Sequence, residues 1–216
     1  MAEFRRDRED LVERLGRNGH IRSEAVRSAF LAVPREHFVP ADLRGKAYVD
    51  TPLPIPMGQT ISAPSMIAIM LEEAELAGGQ KVLDVGTGSG YNAALLAAIV
   101  GAANVVSIER HAGLVDFARQ NLAAAGIAGV RLIVGDGTLG YEPLAPYDRI
   151  VVTAGAPRIA KSWVRQTAMG GLIVAPIGRS TYSQVLIVAR RTGEDRVETK
   201  EGTPCAFVPL VGREGW

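Results

Sequence analysis

The sequence predicts a three-layer α/β fold: a mostly parallel sheet of seven strands, helices on both faces, and an antiparallel edge. Three observations carry that expectation. From residue 66 onward, short β-branched runs alternate with helical segments, the pattern by which right-handed crossovers build a parallel sheet. The apolar run Val82-Leu83-Asp84-Val85 opens directly into Gly86-Thr87-Gly88-Ser89-Gly90 and then a helix, the strand-turn-helix junction at which such sheets hold nucleotides. The last two strand-like runs, 184–189 and 206–211, have no helix between them, so at least one edge is antiparallel.

A chain of 216 residues, 47% of them hydrophobic, can bury its own core and suits one large domain better than two small ones. Helices are expected over 7–15 and 23–33, the second capped by Ser23 and stopped by Pro34. Next comes a passage with Pro52, Pro54, Pro56 and Pro64, too irregular for a strand and too apolar for a disordered linker, so its apolar side chains must cover something. A helix over 66–76 ends at Gly78-Gly79. Strands then fall at 81–85, 105–108, 131–134, 149–152 and 172–175, with helices at 90–100, 112–125 and 158–167 between them. The domain therefore divides into an N-terminal part with a covering loop (1–65), an α/β core (66–178) and C-terminal strands (179–216).

Composition excludes several classes of function. A formal charge of +1 gives no global field for nucleic acid or a membrane surface. The first ten residues are charged where a secretory signal needs an apolar stretch, and the run 91–106 is broken by Asn92, Gly101 and Asn104, short of the ~20 apolar residues a span requires. Cys205 is the only cysteine, which rules out an intrachain disulfide and suits a reducing cytoplasm. His20, His37 and His111 lack metal-ligand spacing, so no metal site is expected.

The glycine turn has two readings. A dinucleotide fingerprint G-x-G-x-x-G starting at Gly86 needs glycine at position 91, where the chain carries Tyr91; the turn is G-x-G-x-G instead, and no Tyr is followed four residues later by Lys. The spacing favours S-adenosylmethionine. Glu109, closing the run Val105-Val106-Ser107-Ile108, is placed to grip ribose hydroxyls, and Asp136, in Gly135-Asp136-Gly137, to accept from an adenine amino group. Each acid also has a plainer reading: Asp84 capping the loop, Glu109 solvated, Asp136 making a turn.

Gln59-Thr60-Ile61-Ser62-Ala63-Pro64, the loop 82–91, Gly135-Asp136-Gly137, Ala145-Pro146-Tyr147-Asp148 and Phe207-Val208-Pro209-Leu210, in that order, resemble the protein-L-isoaspartate O-methyltransferases. Asp50-Thr51-Pro52-Leu53-Pro54-Ile55-Pro56 and the ending Gly212-Arg213-Glu214-Gly215-Trp216 place the resemblance nearest the archaeal and thermophile-like branch. The resemblance implies a Rossmann-like S-adenosylmethionine-dependent methyltransferase fold and methyl transfer to the α-carboxylate of L-isoaspartyl residues in damaged proteins and peptides, with S-adenosylhomocysteine as product. It implies Ser62 as the active-site serine, and Thr60, Ile61, Asp84, Gly86, Gly88, Glu109, Asp136 and Gly137 around the donor. It implies Ile55, Met57, Ile177, Val208 and Leu210 as walls for an extended peptide, in a monomeric cytoplasmic enzyme. Ser62 also reads as the N-cap of the following helix. Ser65 departs from the aromatic residue or histidine of many members. Two other functions stay open: methylation of ordinary aspartyl or small carboxylate acceptors, and a non-catalytic adenosyl-binding module.

Overall fold

A computed structural model describes residues 4–181 and 183–216. The chain begins with α1 (Arg5–Arg17) and α2 (Glu24–Ala32). The Ser23 hydroxyl accepts from the Val26 amide, so α2 starts at the expected cap, and it stops before Pro34. Single 3-10 turns at Arg35–His37 and Ala41–Lys46 lead into the proline-rich passage.

That passage corrects an expectation. It forms a hairpin of β1 (Leu53–Ile55) and β2 (Gln59–Ile61), with Leu53 opposite Ile61 and Ile55 opposite Gln59. Prolines are tolerated because a two-stranded ribbon consists only of edges, and Pro54 faces solvent while Leu53, Ile55 and Ile61 turn inward. The next helix, α3 (Pro64–Glu73), starts and stops earlier than expected. Its N-cap is Ala63 without a side-chain bond, so the capping account of Ser62 fails; Pro64 in the first turn begins the helix instead.

The main sheet follows: β3 (Val82–Val85), α4 (Tyr91–Val100), β4 (Val105–Glu109), α5 (Ala112–Ala124), β5 (Arg131–Val134), β6 (Tyr147–Val152), α6 (Lys161–Gln166), β7 (Thr167–Ser180), β8 (Ser183–Arg191) and β9 (Val197–Cys205). The order is β5-β4-β3-β6-β7-β8-β9, parallel from β5 to β7 and antiparallel at β8 and β9. Seven strands with an antiparallel edge were expected, but the seventh lies at Val197–Cys205, not 206–211. Its exposed Glu198, Lys200 and Glu201 suit an edge strand that must not pair with another chain, and they hide the apolar signal. Segment 206–211 is apolar for another reason: it folds back over the sheet's end. The helix expected at 158–167 is shorter because Thr167 already belongs to β7.

Alternate residues of the central strands feed two cores. Val82, Val105, Val151 and Val174 pack under α2, α3 and α4, while Leu83, Val85, Ile108 and Val152 pack on the other face with Tyr147 and Trp163. Such two-sided burial explains why the strands read as continuous apolar runs. After β3 the chain builds β4 and β5 to one side and then crosses to β6 on the other, opening a crevice at the carboxyl end of β3 where ligands of open α/β sheets bind.

Candidate functional site

The crevice holds a cleft of about 960 Å³, counting the space open to solvent. Four segments distant in sequence meet there: the hairpin end 59–62, the glycine loop, the end of β4 with Arg110 and His111, and the tail 208–211.

The glycine loop is shaped from beneath. Asp84, expected among the donor contacts, is fully buried; its oxygens accept from Asn92 Nδ2 and Ser107 Oγ, both at 2.7 Å, and Ser107 in turn accepts from the Thr87 hydroxyl across 2.6 Å. Register explains the pair, because Asp84 lies beside Ser107 in β4. Burial pushes the Asp84 carboxyl up to about 6, against the two hydrogen bonds that favour its charged form. Gly90 is obligatory at its position: φ is +88°, and a Cβ there would lie 3.1 Å from that of Ala118 in α5.

Glu109 lines the cleft and is 8% exposed. The Gly88 and His111 amides each donate to one of its oxygens at 3.1 Å, so the strand end, the loop and the start of α5 aim one carboxylate into the space. A carboxylate held by backbone donors still has acceptor positions that suit a pair of hydroxyls and repel a phosphate, and Val85, Ile61 and Ile108 supply apolar walls. The donor set thus fits an adenosyl group better than a dinucleotide.

Thr60, Ile61, Ser62, Gly86, Gly88, Gly137, Val208 and Leu210 all line the same cleft. Ser62 is half-buried, and its hydroxyl makes no hydrogen bond among the described residues. Ile55 is buried and packs on the glycine loop, within 3.5 Å of where a Gly88 Cβ would stand. Met57, at the exposed hairpin tip with φ +61°, reaches over Gly113 at the start of α5. Ile177 lies on β7 beside Ala156, away from the cleft lining.

Asp136 has a different setting from the adenine contact expected of it. Its oxygens accept from the Thr138 amide and hydroxyl and, at 2.8 Å, from the Arg213 amide. It therefore clamps the C-terminal tail, and Gly212 is so close that a Cβ would sit 2.1 Å from its Oδ1. Glu214, accepting from the Lys161 amide and the Ser162 hydroxyl, and the Trp216 indole, donating to the Gly155 carbonyl, hold the rest. Gln184 completes the clamp: 2% exposed, it donates to the Ser180 carbonyl and accepts from the Phe207 amide at 2.8 Å. No sequence signal marked Gln184, because it stands at the start of β8 and acts on a segment over twenty residues away. His111, discounted as a metal ligand, lines the cleft because it stands two residues after Glu109 at the strand end.

The chain matches the family model of the protein-L-isoaspartate(D-aspartate) O-methyltransferases over residues 6–215. A protein-L-isoaspartate O-methyltransferase of Hyperthermus butylicus is 53% identical, with 99% of this chain and 92% of that protein covered. One from Methanopyrus kandleri is 52% identical over 99% of this chain and 95% of its own. Among solved structures, a Plasmodium falciparum chain described as a protein-L-isoaspartate O-methyltransferase in complex with S-adenosyl-L-homocysteine superposes with a TM-score of 0.83 at 29% identity, covering 94% of this chain and 97% of that one. Sequence and fold agree along the whole length, and the chain belongs to the protein-L-isoaspartate(D-aspartate) O-methyltransferase family.

Proposed function

We propose that this chain, acting as a single-domain monomer in the cytoplasm, transfers a methyl group from S-adenosylmethionine to the α-carboxylate of L-isoaspartyl residues in damaged proteins and peptides. The ester then closes to a succinimide, whose hydrolysis returns part of the material to normal aspartate. The observation that carries the reading is the meeting of Ser62, Glu109, the glycine loop and the 208–211 tail around one cleft.

When bound, S-adenosylmethionine supplies an electrophilic methyl group on a sulfonium centre. Glu109 would hold the ribose hydroxyls, Gly86, Gly88 and Gly137 would allow close backbone approach, and Thr60 and Ile61 would line the donor's side of the cleft. Asp84 and Asp136 serve the site indirectly, the first by bracing the loop and the second by fixing the tail. An acceptor carboxylate with a pKa near ~4 is already ionised at neutral pH, so no side chain has to remove a proton. The work left to the protein is orientation and exclusion of water. The Ser62 hydroxyl would donate to one oxygen of an acceptor carboxylate and so orient it. The peptide would lie along the tail and the hairpin, with Val208 and Leu210 in the cleft wall, Ile55 and Met57 shaping the approach, and Ile177 further off on β7.

The near-zero formal charge favours protein acceptors over nucleic acid or membrane surfaces, and no described helix is long and apolar enough to cross a membrane. Labelled methyl transfer to a synthetic isoaspartyl peptide, with its aspartyl twin as control, tests the proposal. Selective labelling of the isoaspartyl peptide is expected; equal or absent labelling of the pair rejects the repair role.

A further inference from the structure

Arg35 is a fully buried arginine directly behind Ser62. It sits on the 3-10 turn after α2 rather than in the cleft wall. Its Nε donates to the Ala47 carbonyl at 2.8 Å and its Nη2 to the Ser62 carbonyl at 2.9 Å. The guanidinium carbon lies 4.8 Å from the centroid of the Tyr91 ring, which is itself part of the cleft lining. Nη1 is buried without a partner among the described residues.

Burying a guanidinium is expensive unless it is paired, and here two carbonyls and an aromatic face stand where a carboxylate would be expected. Asp50 acts on it through space, with Oδ1 turned to the Ser65 amide. The Glu36 carboxylate next to it in sequence is taken by Arg8 and Tyr48. Burial lowers the Arg35 pKa, with Tyr91 and Tyr48 opposing, yet arginine stays protonated in proteins. A positive charge therefore remains without a carboxylate partner at the Ser62 end of the cleft.

We propose that Arg35 is a positioning residue for the acceptor: it fixes the Ser62 backbone, and so the place of the hydroxyl, and presents unneutralised positive charge to an incoming carboxylate. The inference rests on the isoaspartyl reading and concerns the acceptor half of the site alone. The donor half, built by the glycine loop and Glu109, meets Arg35 only through the face of the Tyr91 ring.

The test compares wild type, Arg35→Lys and Arg35→Met in steady-state methyl transfer to an isoaspartyl peptide, in calorimetric binding of S-adenosylhomocysteine, and in inhibition by the same peptide carrying an α-carboxamide in place of the carboxylate. Arg35→Met should lose about 100-fold in kcat/KM and Arg35→Lys, which keeps charge but cannot span both carbonyls, about 10-fold, with product affinity within about threefold in both. Wild type should bind the carboxylate peptide at least about 10-fold better than the carboxamide, a preference that collapses in Arg35→Met. The inference is overturned if Arg35→Met keeps kcat/KM, if product affinity falls in step with turnover, or if wild type binds both peptides equally. The wild-type comparison and Arg35→Lys decide the matter even if Arg35→Met does not fold. Wild type that labels no isoaspartyl peptide refutes the proposed function itself, a separate outcome.

Discussion

Replacing Glu109 by glutamine ought to be nearly as damaging to donor binding as replacing it by alanine, although glutamine keeps the shape of the side chain. Both carboxylate oxygens already accept a backbone N–H, one from Gly88 and one from His111. A glutamine has one carbonyl oxygen and one amino group, so whichever way it turns, an N–H donor faces an N–H donor. The amide must then rotate or leave a buried donor unpaired, and the proposed ribose contact loses a charge-assisted hydrogen bond worth about 1.5–3 kcal/mol. At about 1.4 kcal/mol per tenfold, the dissociation constant for S-adenosylhomocysteine should rise roughly 10- to 100-fold in Glu109→Gln and comparably in Glu109→Ala. Aspartate in place of Glu109, shorter by one methylene, cannot reach both amides and should fall between wild type and the other two. Isothermal titration of the four proteins at neutral pH, with thermal unfolding alongside, measures this. Affinity within threefold of wild type in Glu109→Gln would refute the claim that dual acceptance by the carboxylate organises the donor site. A loss of affinity matched by a general loss of fold would equally refute it.

Three further perturbations separate the parts of the site. Ser62→Ala should lower kcat by about 10-fold or more through one missing charge-assisted bond, leaving product affinity nearly unchanged; unchanged turnover would remove Ser62 from the reaction. Gly90→Ala combines a positive-φ penalty of about 1–2 kcal/mol with crowding against Ala118, so its melting temperature should fall by roughly 5–15 °C in a domain of this size, and an unshifted melt would contradict the packing described. Asp84 predicts a pH effect: its folded pKa is raised to about 6 from 3.8, so the charged form is penalised fully above about pH 6 and not at all below about pH 4. Stability from this group therefore rises as pH falls through that window, by up to roughly 3 kcal/mol, and the denaturation free-energy difference between wild type and Asp84→Asn should change by that order between pH 7 and 4.5. A flat difference would show that Asp84 does not titrate in that window.

The strand-turn-helix unit beside the cleft was legible because it is local. Strand β3, the glycine turn and the acid closing β4 each occupy a short contiguous stretch, and their chemistry follows from strand periodicity and from the bulk of Tyr91 where a dinucleotide needs glycine. What was misread depends on long-range contacts. Segment 206–211 has the apolar look of a strand, yet Gln184 and Gly155 draw it across the sheet's end, where a single bridge at Pro209 replaces a ladder. Strand β9 was missed because its charges serve an edge. Asp136 was placed correctly at the tip of β5 but pointed at the tail, since the tail's own amides reach it first. The prolines of 52–56 concealed a hairpin because the rules against proline in sheets apply to paired interiors, and this ribbon has none.

The same contrast explains why the acceptor half is assembled as it is. The parts proposed for it come from the hairpin near residue 60, the turn at Arg35 and the tail beyond residue 206, joined by hydrogen bonds that span 27 residues between Arg35 and Ser62 and 77 between Arg213 and Asp136. A nucleotide pocket can be supplied by one strand-turn-helix unit, whereas a surface for a variable peptide must be built from segments that approach from both sides of the sheet's edge. Loosening the tail by Asp136→Ala should then weaken peptide turnover more than donor binding, although Asp136 stands at the tip of a donor-side strand. Equal losses in both would return Asp136 to the adenine contact that the sequence suggested.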